Sequence, residues 1–400
     1  MPTSYADPHQ ITHPITHADP PGPTRPILPT IPTDAITAAR DRIELHRRLP
    51  TSLVDTLVQA DLFRLYTPRE HGGLELDPVD LCSVVEDVSA VDGSVGWCVW
   101  NGNCGFAAAL LEPDAAEQAF GRGEPVGNSA RIGGGAAPVE GGYRLSGRWD
   151  LVSGSDHQPW IILFGVVMDD DAPRQVAPDV PDVRAFLVHH DQLTIKDKWH
   201  VLGLRGTASN EVVVQDAFIP ESYAPAPFAP TRIDRTLYRV PIFTTASCAG
   251  AAVCLGIARG AIDDLVQLAT TGTAGGNQPI AHYPAVQSAV AESDIQLRAA
   301  RAAFHDALRE VTRTAAADRP AVLEERGRVR AAMTNAARTA RSVTIAMFEQ
   351  AGSAAIYQAN PLEQRLRDVL VASQHMMLQP RWYEQAGRTI LGLEPTMPAL

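Results

Sequence analysis

Basic residues are few. The 400-residue chain sets 34 Lys and Arg against 46 Asp and Glu, a net charge of −12, and its cations are scattered, with no run longer than the pair Arg47 and Arg48. A phosphate backbone needs a clustered basic surface, so nucleic acid is excluded as a partner. The opening MPTSYADPHQ has no basic segment followed by an apolar stretch, so no secretory signal is expected. No uninterrupted apolar run approaches the ~20 residues of a membrane-spanning helix. The longest, WIILFGVVM and CAGAAVCLGIA, read as a buried strand and a buried helix. The five cysteines, Cys82, Cys98, Cys104, Cys248 and Cys254, form no CxxC pair. That fits a reducing compartment, and they read as small core residues of a cytoplasmic protein. No glycine motif of the GxGxxG type precedes a helix, since GGGAAPVEGG lacks the third glycine in place. A nicotinamide dinucleotide fold is therefore excluded. The helices also lack a Glu-x-x-His pair, which disfavours a helix-held di-iron centre.

What is present is a globular composition, 45% apolar and 20% charged, in four regions. Residues 1–33 carry proline at nine positions and read as a tail that cannot pair into helix or sheet. His9, His13 and His17 fall four apart within it, but the intervening prolines remove the helix that would align them on a metal. From Asp34, read as an N-cap, apolar residues recur at three and four spacing, giving a helical domain over 34–122. Over 123–236 the texture becomes alternating and glycine-punctuated, in GGYRLSGRWDLVSG, VRAFLVHH and NEVVVQDAFIP, which predicts an antiparallel, barrel-like β domain. From 237 to 400 the helical period returns in long Ala- and Arg-rich segments, predicting a four-helix bundle. Its last long helix is expected to run from Pro361 to about Leu378. Asn360 and Glu363 would form a capping box, and Pro380 would stop it. Leu366, Val369, Leu370 and Met377 make its core stripe, while His375 shares another face with Asp368, Val371 and Leu378.

Four motifs in this order, YTPREHGG, GGYRLSGRWDLVSG, HVLGLRGTASNEVVVQDAFIPE and NPLEQRLRDVLVASQH, resemble the acyl-CoA dehydrogenase fold. The resemblance covers residues 34 to about 395. It implies an α+β protein in which a helical domain, a β domain and a helical bundle assemble as a tetramer, with flavin between the β domain and the bundle. It also implies that the triplet Leu151, Val152, Ser153 brings the Ser153 hydroxyl to flavin N5, since a hydroxyl there accepts or donates. Asn128 and Ser129, in PVGNSARIGGG, are placed at the pyrimidine edge by the same likeness, and Arg205 of GLRGT joins the cofactor-binding residues.

Two departures shift the expected chemistry. The position that bears a catalytic glutamate in one dehydrogenase branch is Met376, and a thioether cannot take an α-proton. The segment GGNQPI, residues 275–280, lacks the arginine that contacts a flavin pyrophosphate in the family, so reduced FMN is as plausible as reduced FAD. The chain is more similar to the oxygenase components of two-component flavin monooxygenases, through SG after the strand, through GLRGT and through His375 after Arg367 and Asp368. That likeness implies a flavin C4a-hydroperoxide formed with molecular oxygen, hydroxylation or N-oxygenation of a small organic molecule, and a separate flavin reductase as partner. His375 and Ser153 are the expected catalytic residues. An imidazole of intrinsic pKa about 6.5 would act in either direction at neutral pH. Trp97, Trp149, Trp160 and Trp199 are candidates for excluding water. GWCVWNGNCGF has Asn101, Asn103 and Cys104 where phenol hydroxylases of this subgroup carry a histidine, so the oxidised atom stays open. His157 beside Ser153 and Asp156 does not make a hydrolytic triad, because one strand cannot converge three side chains. An acyl-CoA dehydrogenase-like oxidoreductase with a relocated base is the alternative, and a helical scaffold that has lost its site is a third reading.

Overall fold

The computed structural model describes residues 27–271 and 279–397. The His9, His13, His17 series, most of the proline-rich tail and residues 275–278 lie outside the described residues.

Five α-helices come first: α1 (Thr33–His46), α2 (Thr51–Gln59), α3 (Pro78–Val91), α4 (Gly93–Asn101) and α5 (Pro113–Phe120). Capping explains the sharp α3–α4 corner. Asp77 accepts from the amides of Val79 and Asp80 at 2.8 and 2.9 Å, with Pro78 in the first turn. Asp92 accepts from Val95 at 3.0 Å and starts α4 one residue after α3 ends. The N-cap of α1 is Pro32, so Asp34 falls in the first turn instead of capping it.

The middle of the chain supplies nine strands: β1 (Val126–Val139), β2 (Gly142–Val152), β3 (Trp160–Asp169), β4 (Ala172–Pro173), β5 (Gln175–Ala177), β6 (Val180–Pro181), β7 (Val183–His189), β8 (Thr194–Lys196) and β9 (Asn210–Pro220). The main sheet runs β4-β3-β1-β2-β9-β8, with β7 also on β3. Its pairs are antiparallel as expected, except that β1 and β3 are parallel. The exception has a simple cause. Residues 153–159 carry the chain from the end of β2 across the start of β1, so β3 sets off in the direction of β1. The terminal amide of Gln158 in this link lies 2.2 Å from where a Cβ on Gly127 would sit, so a larger residue at 127 would push that amide aside.

Helices α6 (Thr236–Arg239), α7 (Ile242–Ser247), α8 (Ala249–Thr271), α9 (Pro284–Ala316), α10 (Leu323–Ala351), α11 (Pro361–Ala372) and α12 (Arg381–Ile390) complete the molecule. α8 to α11 form the bundle, and α8 also packs along α3. Gly256 and Gly260 make that closeness possible, since a Cβ at either would stand 2.2 Å from the Glu86 carbonyl or 2.5 Å from that of Ala90. Over Ile242–Thr271 the chain is apolar and long enough to cross a membrane by composition, yet 78% of that apolar window is buried inside the protein. The apolar character of α8 is that of a central core helix.

The last long helix departs from expectation. α11 ends at Ala372, and His375 is extended at φ −56° and ψ 135°, ahead of a short 3-10 turn at Met376–Leu378. Helical-face arguments therefore stop before His375. Asp368 and Val369 are among the buried residues of α11, at 1% and 0% exposure, with Leu362, Gln364, Arg365 and Ala372, whereas Leu366 and Leu370 are half-buried. Asn360 does cap, accepting from Leu362 at 3.0 Å, but Glu363 turns to Arg367 at 2.7 Å instead of closing a capping box.

Candidate active site

The β2–β3 link begins where β2 kinks. Leu151 adopts φ 60°, a left-handed value beside a register break in the β2–β9 pairing. After it, Ser153 is buried and sits in a row of hydroxyls. Its Oγ lies 2.8 Å from Ser209 Oγ, which lies 2.7 Å from Thr207 Oγ1, which donates to the Leu204 carbonyl at 3.0 Å. Each hydroxyl owns one proton. Thr207 spends its proton on Leu204, so Ser209 donates to Thr207 and Ser153 donates to Ser209. Trp97 Nε1 donates to Ser153 Oγ at 3.0 Å. Ser153 is left with an unspent lone pair and no spare proton.

Trp97 joins Ser153 to His375. Trp97 and Trp100 lie three apart on α4 and meet edge to face at 4.7 Å. The His375 ring stands 5.6 Å from Trp97 and 5.1 Å from Trp100, again edge to face. His375 Nδ1 accepts from the Met377 amide at 3.4 Å, which leaves the proton of a neutral ring on Nε2. Burial, with the Arg330 charge adding to it, pulls the His375 pKa down to about 4. This corrects the expectation of a ring near 6.5: at neutral pH it is an uncharged base and N–H donor, and protonating it is costly.

The link holds unspent polarity as well. Both nitrogens of His157 and Oε1 of Gln158 are buried without a hydrogen-bond partner. Gln158 Nε2 is used, donating to the Ser153 carbonyl at 3.0 Å and to Asn101 Oδ1 at 3.3 Å. Burial lowers the His157 pKa to about 4. Its neighbour Asp156 bonds Arg48 and Asn210, so no triad forms, as the sequence indicated. Unpaired buried polar atoms are rare, and a water or a ligand at this link would complete their pairing.

The other expected residues divide. Asn128 is half-buried and donates to Cys104 Sγ at 2.9 Å. Ser129 is buried and spends its hydroxyl on the Asp150 carbonyl at 3.2 Å, so only its backbone is available to a ligand. Arg205 joins an ion group with Glu44, 3.8 Å away, to which Arg367 also pairs at 3.0 Å; its Nε is buried and unpaired. Asp368 accepts from the Leu204 amide at 2.6 Å and ties α11 to the loop that carries Thr207. Burial, with Asp92 nearby, raises its pKa to about 8. Of the four tryptophans proposed as a dry wall, Trp97 belongs to the site. Trp149 donates to Phe164 inside the sheet, Trp160 stacks on Tyr223, and Trp199 donates to Leu204. Trp100, Gln158, Ser209 and Thr207 escaped notice in the sequence, and His157 was set aside with the triad. Only the three-residue spacing of the two tryptophans hinted at a shared face.

A flavin fits these residues. Its isoalloxazine carries N–H donors and carbonyl acceptors, the kinds of group that the Ser153 lone pair, the Gln158 oxygen and the His157 nitrogens leave unmatched. Among the described residues, no group of three or more His, Cys, Asp or Glu side chains is placed to hold a metal.

Comparison with known proteins agrees with this chemistry. Residues 33–118 match the acyl-CoA dehydrogenase N-terminal domain and residues 248–380 the acyl-CoA dehydrogenase C-terminal domain. An indole-3-acetate monooxygenase from Pseudomonas putida is 28% identical over 90% of this chain and 93% of its own. The flavin-dependent monooxygenase oxygenase subunit HsaA of Rhodococcus jostii is 31% identical over 88% and 94%. The structure of XiaF from a Streptomyces species, in complex with FADH2 and glycerol, superposes with a TM-score of 0.83 at 26% identity, covering 92% of this chain and 95% of that one. The chain therefore belongs to the flavin-dependent monooxygenases, as the oxygenase component of a two-component system built on the acyl-CoA dehydrogenase fold and working with reduced FMN or FAD.

Proposed function

We propose that reduced flavin binds among the β2–β3 link, α4 and the end of α11, with Ser153 at N5 and His375 toward the substrate. The observation that carries this reading is the direction of the hydroxyl row. Ser153 can accept but has no proton to give. Reduced flavin bears a proton on N5 and oxidised flavin does not, so the site favours the reduced form. The bound flavin supplies the activation of oxygen, and the protein supplies position, dryness and proton control. Trp97 and Trp100 shield the N5 side from water. His375, uncharged at neutral pH, would serve as a hydrogen-bond donor through Nε2–H toward the reacting groups, since burial makes its protonation costly. Asn128, the Ser129 backbone and Arg205 are further contacts to the cofactor, and His157 and Gln158 complete its polar edge.

The substrate is a small aromatic molecule hydroxylated or N-oxygenated, in keeping with the relative named for indole-3-acetate. The remaining parts of the reading are a homotetramer, a cytoplasmic site of action and a division of the chain near residues 33, 122 and 236, with a separate reductase supplying the flavin.

Anaerobic titration of the protein with reduced and oxidised FMN and FAD tests the central claim. The reduced forms should bind at least 10-fold tighter, and Ser153→Ala should erase most of that preference. Equal affinity for both redox forms in the native protein would show the reading to be wrong. His375→Ala should keep flavin binding but divert oxygen to hydrogen peroxide. Unchanged yield of oxygenated product per reduced flavin in that variant removes His375 from the mechanism.

A further inference from the structure

A cavity of about 220 Å³ lies between the segment at Phe106 and Leu110, the chain at Phe228, and the helices α6 and α7, which contribute Tyr238, Ile242 and Thr245. One hydrogen bond ties the segment behind its wall to the site just described. Trp100 Nε1 donates at 3.1 Å to the carbonyl of Ala246, the residue after Thr245, and the same Trp100 ring touches His375. Pockets for drug-sized ligands run to ~300–1,000 Å³, so this one suits a molecule of one or two rings.

Two properties of the lining restrict the occupant. Thr245 is 3% exposed and its Oγ1 is buried with no hydrogen-bond partner, in a lining otherwise mainly aliphatic and aromatic. An unmet buried hydroxyl costs free energy until something pairs with it, so one hydrogen-bonding group on the ligand is favoured. No residue lining the cavity bears a charge. Arg235, whose guanidinium lies over the Tyr238 ring, is already claimed by Glu70 and Glu75, at 2.6 and 2.5 Å. A carboxylate seated against this lining would find no counter-charge among the side chains that form it.

We infer that this cavity is the substrate pocket and that it selects neutral one- or two-ring aromatic molecules carrying one hydrogen-bonding group for Thr245, while rejecting those with a free carboxylate. The inference rests on the monooxygenase site proposed above and narrows its substrate class. It also separates this chain from the relative named for indole-3-acetate.

Calorimetric titration of the whole protein with phenol, indole and indole-3-acetate, alone and with reduced FMN under argon, tests it. Phenol or indole should bind at least 30-fold tighter than indole-3-acetate. Thr245→Val, which keeps the shape and removes the hydroxyl, should weaken the neutral ligands about 10-fold and leave the affinity for reduced FMN unchanged. Phe228→Ala, at the exposed rim, should weaken them too without threatening the fold. Equal or tighter binding of indole-3-acetate, no binding of either neutral ligand in both conditions, or an unaltered Thr245→Val protein each overturns the inference. Failure of reduced FMN to bind would instead count against the flavin site, with the selectivity among aromatic ligands still readable on the protein alone.

Discussion

At the scale of single residues, burial sets proton affinities in two opposite directions. His157, His305 and His375 are each pulled down to about 4, against about 6.5 in an unfolded chain. Below pH 6.5 the unfolded chain takes up protons that the fold refuses, so each histidine lowers stability as pH falls, until about pH 4. Asp368, raised to about 8, does the reverse: its cost to the fold grows as pH rises from about 4 to 8. Variants separate the two. His305→Gln, remote from Ser153, should gain on the native protein by about 2 kcal/mol between pH 7 and pH 5 in urea unfolding. Asp368→Asn should be relatively most stable near pH 8 and lose that advantage toward pH 5. Parallel pH profiles for His305→Gln and the native chain would contradict the assignment. Ser153 and His375 were singled out in the sequence because short motifs carry them. Trp97 was named there only as one of four tryptophans able to exclude water. Its place between the two could not be read, since its partners lie 56 residues away at Ser153 and on another helical unit at His375.

Among the elements, the long Ala- and Arg-rich segments expected of the bundle are observed as Pro284–Ala316 and Leu323–Ala351. The end of α11 was misread because apolar periodicity continues through Met377 and Leu378, which are buried by a different route, a 3-10 turn held by Trp382 Nε1 on the Met376 carbonyl at 2.9 Å. Periodicity reports burial and says little about which turn achieves it. Asn103 gives a second example. It was weighed as a substrate-side departure, yet its amide accepts from Leu65 and donates to Leu62 and Val99, at 2.9, 2.8 and 2.7 Å, locking α4 to the turn after α2. Asn103→Ala strands three buried backbone groups and should destabilise the protein by about 3 kcal/mol, seen as a lower urea midpoint at unchanged slope. A midpoint within experimental scatter of the native value would return Asn103 to the list of substrate contacts.

For the molecule as a whole, domain order and class were readable because texture changes sharply between helical and alternating stretches. The parallel β1–β3 pair was not, since local alternation is the same for either direction. The outer surface carries exposed Ile295, Ile356, Tyr357, Ile390 and Leu391, between 62% and 76% accessible. The tetramer proposed above covers such side chains, so sedimentation should give four chain masses, and charged replacements at Ile390 and Leu391 should lower that number. A single chain mass at micromolar concentration would exclude the tetramer. The seven residues from Ser153 to Pro159 have a different consequence for traffic. They are anchored at both ends to strands, and pinned between by Gly154 on the Thr207 carbonyl and Ser155 on that of Ala208. A tether that short and that well fastened does not swing aside as a door, so in the proposed site oxygen, flavin and substrate would arrive from the helical flank, and product would leave the same way.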